Sequence, residues 1–239
     1  AIVRFEDTRR EGDWVHILTP VPVGRDIRAA GEDVRQGQIV LRRGISIRPQ
    51  EVGMLAALGR PTVQVRRRPK VAVLATGDEV IEIDAPWQPG KIRNANSFSN
   101  AAQILRCGGL PILLGIARDD PEVLTQQIRR GLELGVDFLI TSGGVSVGDF
   151  DVVKEVLAAQ GQVCFWRVRM KPGKPLAFGH IGSVPLLGLP GNPVSAMVSF
   201  ELFARPAIAR LRGRGRHPGA HLAATCRAHL IPGRERGLR

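Results

Sequence analysis

Residues 136–151 read Val-Asp-Phe-Leu-Ile-Thr-Ser-Gly-Gly-Val-Ser-Val-Gly-Asp-Phe-Asp. An almost continuous apolar run, Val136 to Ile140, gives way within two residues to a glycine-rich loop. Such a run, bounded by turn residues and not alternating in polarity, suits a strand buried on both faces, the habit of parallel sheets. Gly143 and Gly144 let the backbone approach a ligand closely and turn its N–H groups toward an anion. The loop matches neither the dinucleotide fingerprint nor the Walker A pattern, so it belongs to neither common nucleotide class. A tight strand-to-helix turn explains the same glycines without a ligand.

The pattern repeats on both sides of this stretch. Val71–Ala75, Pro111–Ile116 and Val184–Leu189 are strand-length apolar runs, with Leu176-Ala-Phe as a further strand. Pro185 confines where the run at 184 can begin to pair. Helix-period segments lie at Ser97–Cys107, Pro121–Leu134, Asp151–Ala159 and from Pro193 to about Leu211. The alternation predicts an α/β fold, a mainly parallel sheet covered by helices on both faces. Residues 1–47 read as β structure, at Val15–Leu18 and Gln38–Ile47, followed by a short apolar helix that Pro49 opens and Gly59 ends. The basic stretch Arg66–Lys70 marks a boundary. The expected organisation is a β-rich region with a hinge helix over residues 1–68, the α/β domain over 69–212, and a further β domain starting at 213–239. Leu222–Ile231 reads as a single strand, which cannot close a core. The chain is therefore expected to be cut off there, and, lacking an initiator Met, to begin inside a larger protein.

Hydrophobic residues make up 44% and charged residues 23% of the 239, the composition of a folded protein. No apolar run approaches ~18 residues, which excludes a membrane-spanning helix. No basic-then-apolar leader opens the sequence. Cys107, Cys164 and Cys226 form neither a disulfide framework nor a Cys-x-x-Cys pair, so buried inert thiols in a reduced, cytoplasmic setting are expected. The net charge of +12 first suggests an acidic or phosphorylated partner. Residues 205–239, however, hold nine Arg and one Glu, so most of the excess lies in the tail. No recognised nucleic-acid motif accompanies it, and aromatics are only 5%.

Four polar segments each follow a strand: Thr76-Gly77-Asp78-Glu79, Arg118-Asp119-Asp120, Thr141 to Asp151, and Pro190-Gly191-Asn192-Pro193. In an open parallel sheet, ligands bind at the carboxyl ends of strands, so these segments converge on one edge. Lys171-Pro-Gly-Lys174 adds two ammonium groups on a stiffened turn, suited to phosphate or another oxyanion, with Arg167 and Arg169 nearby in sequence. The acids Asp78, Glu79, Asp119, Asp120, Asp149 and Asp151 are hard oxygen donors of the kind Mg²⁺ takes. Asp120, Asn192, Asp149 and Asp151 could equally be helix caps, whereas Glu79 has no capping role. His217 and His221 are separated by Pro and Gly, which forbid the helix that would align them on a metal.

Together these stretches resemble the molybdopterin molybdenumtransferase family, the same family as the C-terminal domain of gephyrin. The resemblance is carried by Gly31-Glu-Asp33, Leu74–Glu79, Gly90-Lys-Ile-Arg-Asn-Ala-Asn96, Gly115–Asp120, Thr141–Asp151, Lys171–Pro175 and Gly188-Leu-Pro-Gly-Asn-Pro-Val-Ser195. The central region is shared with molybdopterin adenylyltransferases. Gly24–Asp33 and the hinge helix look like the transferase. The resemblance implies an elongated, dimeric subunit that, with Mg²⁺, inserts molybdate into adenylylated molybdopterin and releases AMP. It implies a homodimer in the cytoplasm, contact with a molybdopterin adenylyltransferase, and no nucleic-acid or membrane partner. By resemblance, Asp33, Glu79, Asp120 and Asp151 are catalytic, and the last three arrange the metal. Thr76, Gly77, Asp78, Ser142, Gly143, Gly144, Ser146, Asp149, Arg167, Lys171, Lys174, Pro190, Gly191, Asn192 and Pro193 would hold the pterin, phosphate and molybdate. In the family a further N-terminal stretch supplies site residues, so weak binding and poor turnover are expected of these 239 residues alone. Two other readings stay open: an adenylyltransferase that loads molybdopterin from ATP, and a non-catalytic interaction module of the same fold.

Overall fold

The computed structural model describes residues 1–144, 156, 159 and 161–213. The chain forms two compact units, residues 1–61 and 62–239.

In the first unit, β1 (Thr8–Glu11) and β2 (Trp14–Ile17) make an antiparallel hairpin that turns at Gly12, where φ is +58°. Gly supplies that backbone conformation without the Cβ clash other residues meet. Helix α1 (Pro49–Ala57) starts with Pro in its first turn and a reciprocal cap between Arg48 and Glu51. The Arg48 guanidinium holds the Glu51 carboxyl down to about 2. Gln38–Ile47, expected as a strand, forms none. Ile39, Ile45 and Ile47 are exposed, Val40 and Leu41 are half-buried, and among the described residues no neighbouring strand takes up the backbone N–H and C=O groups that define a ladder.

The second unit is built on a six-stranded sheet: β3 (Lys70–Thr76), β6 (Leu110–Ala117), β7 (Phe138–Ser142), β8 (Gln162–Arg167), β9 (Pro175–Ile181) and β10 (Val184–Leu189). Its order is β6-β3-β7-β10-β9-β8. The first four are mutually parallel, and the β8–β9 hairpin adds two antiparallel strands at the far edge. The small ladder of β4 (Val80–Ile81) and β5 (Ile92–Arg93) stands apart.

The continuous apolar runs become central strands because both faces are covered. Val71 and Val73 enter one core with Ile104, Ile140, Leu187 and Phe200. Ala72 and Leu74 enter the other with Leu124, Ile128, Leu139 and Leu186. Helix α2 (Ala95–Arg106) serves the first core through Ile104, and α3 (Pro121–Glu133) the second through Leu124 and Ile128. Pro185 is tolerated because the β7 pairing begins only at Leu186, so no ladder donor is lost on that side. Between Val73 and Leu74 the β3–β6 register slips, leaving Leu114 as an extra residue of β6 beside Gly115 at φ +86°.

The last helical stretch is not one uniform helix. Helix α4 (Pro193–Ser199) passes into a π-helical turn, Phe200–Ala204, and then α5 (Arg205–Leu211). Pro206 has no N–H to donate to the carbonyl four residues back, and the chain widens just before it, where the Arg205 N–H donates to Phe200 O. Among the described residues, no helix is long and apolar enough to cross a membrane. Cys107 and Cys164 are free thiols, and burial raises the pKa of Cys107. Cys164, expected to be buried, is exposed because it lies on the edge strand β8. The expected helix at 151–159, the expected strand at 222–231, Cys226, His217 and His221 lie outside the described residues, apart from residues 156 and 159.

Candidate functional site

Strand register brings the four polar segments to one level of the sheet. Thr76 lies opposite Ala117, Ala75 opposite Ser142, and Leu189 opposite Ser142. The segments beginning at Thr76, Arg118, Ser142 and Pro190 therefore leave four adjacent parallel strands, β6-β3-β7-β10, at their shared carboxyl edge.

The β8–β9 hairpin adds a fifth segment there. Arg167 pairs with Pro175, and Ala177 with Gly188 near the end of β10, so the turn at residues 168–174 belongs to the same edge. The Val168 N–H closes it by donating to Lys174 O at 2.8 Å. The Lys171–Pro172 peptide is cis. Gly173 lies so close to α4 that a Cβ on it would sit 2.8 Å from Ser199 Oγ. Arg167, Lys171 and Lys174 are exposed.

Side chains and backbone lock the floor of this edge. The Gly77 N–H donates to Ala117 O at 3.2 Å and the Gly143 N–H to Leu189 O at 3.1 Å. Thr76 Oγ1 donates to Ser142 O at 3.3 Å. Asn96 Nδ2 donates to both Ser142 Oγ, at 2.8 Å, and Gly191 O, at 2.7 Å. Gly143, at φ +99°, is held so tightly that a Cβ would lie 2.6 Å from Thr76 O. Thr76, Ser142 and Pro190 are buried, while Gly191, Asn192 and Pro193 are exposed.

The carboxylates stand above this floor. Asp78, Glu79, Asp119 and Asp120 are all exposed. Asp78 Oδ1 accepts from the Asp119 N–H at 3.2 Å, tying the loop after β3 to the loop after β6. Glu79 folds its carboxylate against the α-carbon of Gly77. Asp120 Oδ1 caps α3 by accepting from the Glu122 and Val123 N–H groups, and Asn192 Oδ1 caps α4 through the Ser195 N–H at 3.2 Å. Both residues thus hold helix starts, as their position before Pro suggests. Asp33 lies in the first unit, exposed and paired with Arg28 at 2.7 Å. Ser146, Asp149 and Asp151 lie outside the described residues. Among the described residues, no group of three or more His, Cys, Asp or Glu could hold a metal ion.

Two residues join the site that the sequence marked only as members of the stretch Gly90–Asn96, with no role of their own. Lys91 Nζ donates to Asp78 O at 2.7 Å. Asn96 reaches loops 46 and 95 residues away in sequence, so nothing in its neighbourhood signals the contacts. Beyond the matching stretch Gly90–Asn96 itself, the local sign is the pair Asn94 and Asn96: Asn94 caps α2 by accepting from the Ser97 N–H, which leaves the second amide without a capping duty.

Residues 72–210 match the family described as a probable molybdopterin binding domain, and residues 1–59 match the MoeA N-terminal region, domains I and II. A molybdopterin molybdenumtransferase of Haemophilus influenzae is 42% identical over 215 residues, covering 90% of this chain and 53% of the relative. One from Nostoc is 40% identical over 216 residues, covering 89% and 49%. The crystal structure of a molybdopterin biosynthesis MoeA protein from Pyrococcus horikoshii superposes with a TM-score of 0.75 at 32% identity, covering 89% of this chain and 53% of that one. The chain thus spans about half the length of the curated relatives it matches.

Proposed function

Because the chain belongs to the molybdopterin molybdenumtransferase family, we propose that its loop-lined sheet edge holds adenylylated molybdopterin, and that the whole protein inserts molybdate into it and releases AMP. The observation that carries this reading is the convergence of five polar segments on one sheet edge, glycine loops at the centre, acids on one side and a lysine turn on the other. The match of residues 1–59 to the MoeA N-terminal region favours the transferase over the adenylyltransferase.

The donor chemistry fits Mg²⁺. That ion takes hard oxygens, often one or two carboxylates with the rest from water and substrate phosphate, so a cluster of three protein acids is not required. Glu79 and Asp120, with Asp151, would hold it; when bound it supplies charge neutralisation at the phosphoanhydride.

The chain's own residues do the positioning. The Gly143 N–H is taken by Leu189 O, so the Gly144 backbone N–H would face phosphate or pterin oxygens, since no side chain there obstructs close approach. Lys171 and Lys174, with Arg167, would neutralise molybdate and phosphate oxygens from the opposite side. Thr76 and Ser142 hold the floor on which the ligand rests, and Asn192 and Pro193 fix the start of α4 beside it. The reading carries with it a cytoplasmic homodimer that receives substrate from a molybdopterin adenylyltransferase.

The test is AMP release from adenylylated molybdopterin with molybdate and Mg²⁺, followed chromatographically in a chain of the relatives' full length. Glu79→Ala, Asp120→Ala and Asp151→Ala should each slow release by about 10²–10³-fold, while AMP affinity changes less. Wild-type release rates in all three would overturn the assignment, and ATP consumption instead of AMP release would move the protein to the adenylyltransferases.

A further inference from the structure

The amide of Asn96 is the one side chain that ties the loop after β7 directly to the loop after β10 among the described residues. Its Nδ2 carries two hydrogens, and each has an acceptor: Ser142 Oγ at 2.8 Å and Gly191 O at 2.7 Å. Its Oδ1 is buried with no hydrogen-bond partner among the described residues. The two loops also meet through the Gly143 N–H and Leu189 O at 3.1 Å, and the α-carbon of Gly143 lies 3.7 Å from where a Cβ on Gly191 would stand. One amide therefore spans the two glycine segments where they approach each other most closely. Asn96 itself is carried by α2, whose start Asn94 caps through the Ser97 N–H. The donor is rooted on a twelve-residue helix.

We propose that Asn96 is a positioning residue of the nucleotide site, which sets the spacing of Gly143 and Gly144 against Gly191. This rests on the reading of that edge as a phosphate-bearing ligand site. The chemistry requires an amide. Gly191 O can only accept, so a carboxylate at position 96 would face it with lone pairs and no donor. Ser142 Oγ could turn its own hydrogen toward a carboxylate, so Asn96→Asp would keep one tie and lose the other. Asn96→Leu removes both at similar volume. A structural residue of the floor would lower stability and leave ligand affinity in the folded protein intact; a positioning residue changes affinity in variants that remain folded.

AMP serves as the probe, titrated calorimetrically into wild type, Asn96→Asp and Asn96→Leu, with thermal unfolding of each measured alongside. Both variants should weaken AMP binding by roughly tenfold or more, a loss on the scale of one or two hydrogen bonds, with Leu the more severe. Backbone hydrogen exchange, read without any ligand, should quicken at Gly143 in both variants as the two loops come apart. Unchanged AMP affinity in a folded Asn96→Leu overturns the proposal, and so does unchanged exchange at Gly143. If wild type fails to bind AMP, the ligand reading of the edge fails, and the exchange experiment still decides whether Asn96 sets the loops.

Discussion

Arg67 clasps Asp137 with both terminal guanidinium nitrogens, at 2.6 and 2.5 Å, across 70 residues of chain. Asp137 also accepts from the Lys70 backbone N–H at 2.8 Å. The three bonds pin the entry of β3 to the entry of β7, at the end of the sheet opposite the glycine loops.

This clasp has an acid dependence. The hydrogen bonds from Arg67, the largest influence, keep the Asp137 carboxyl below its ordinary value, with Lys70 assisting and partial burial opposing. A lowered folded-state pKa means the contribution is fully present above the unfolded carboxylate range, near pH 4, and fades as pH falls through the lowered value. Asp137→Asn should therefore lower Tm by about 2–4 °C at pH 7, the modest effect of a partly exposed pair. The gap to wild type should narrow progressively as pH falls below the unfolded carboxylate range, near pH 4. A gap that persists undiminished at pH 2 would show that the carboxylate charge is not what holds the strands.

Gly143 and Gly191 face the same space, yet they should respond differently to alanine. At Gly143 the backbone is at φ +99° and a Cβ would lie 2.6 Å from Thr76 O, so backbone must move. Gly143→Ala should cost about 1–3 kcal/mol in urea unfolding and abolish AMP binding. At Gly191 the nearest atom to a new Cβ is 3.7 Å away and φ is not positive, so Gly191→Ala should unfold within about 0.5 kcal/mol of wild type. Equal destabilisation by both would contradict the strain placed at Gly143.

Asp120 holds a helix and is assigned to the metal, and the two duties can be separated. Ser caps a helix about as well as Asp, whereas Ala forfeits about 1 kcal/mol. Asp120→Ser should match wild type in urea unfolding within about 0.5 kcal/mol and still lose AMP release to the extent that Asp120→Ala does. Full activity in Asp120→Ser would reduce Asp120 to its cap, to the Glu122 and Val123 N–H groups.

The central strands were legible because Val71–Ala75 and Val136–Ile140 are buried on both faces and so lack alternation, the mark of a parallel sheet. The starts of α3 and α4 were legible in Asp-Pro and Asn-Pro, whose capping is a local matter. Three features were not. Strand β8 carries the strand-favouring Val163, Phe165 and Trp166, but as a half-exposed edge strand it lacks the continuous apolar run of the central strands, and its pairing with β9 is what marks it. Gln38–Ile47 has strand composition but no ladder. The π-helical turn before Pro206 lies inside an apolar periodicity that reads as unbroken helix. In the site, the loops at strand ends could be found by order alone, while Asn96 was legible only as the end of the stretch Gly90–Asn96 and its contacts were not, because its partners are set by the sheet's crossover order.

The lysine turn should act on the ligand through its charge. Lys174 is exposed, and its backbone carbonyl closes the turn with Val168, so replacing its side chain leaves that closure intact. Lys174→Gln should unfold within about 0.5 kcal/mol of wild type, as a surface change away from packing does. Its charge acts through solvent, where the screening length is ~10 Å at 0.1 M salt and shorter above that. AMP affinity should therefore fall by roughly three- to tenfold at 50 mM salt and by much less at 500 mM, because wild type loses the same attraction to screening. A wild type whose AMP affinity does not change between these salt concentrations would place Lys174 away from the phosphate. An affinity loss in Lys174→Gln that is equally large at both would point to a direct, desolvated contact in place of long-range attraction.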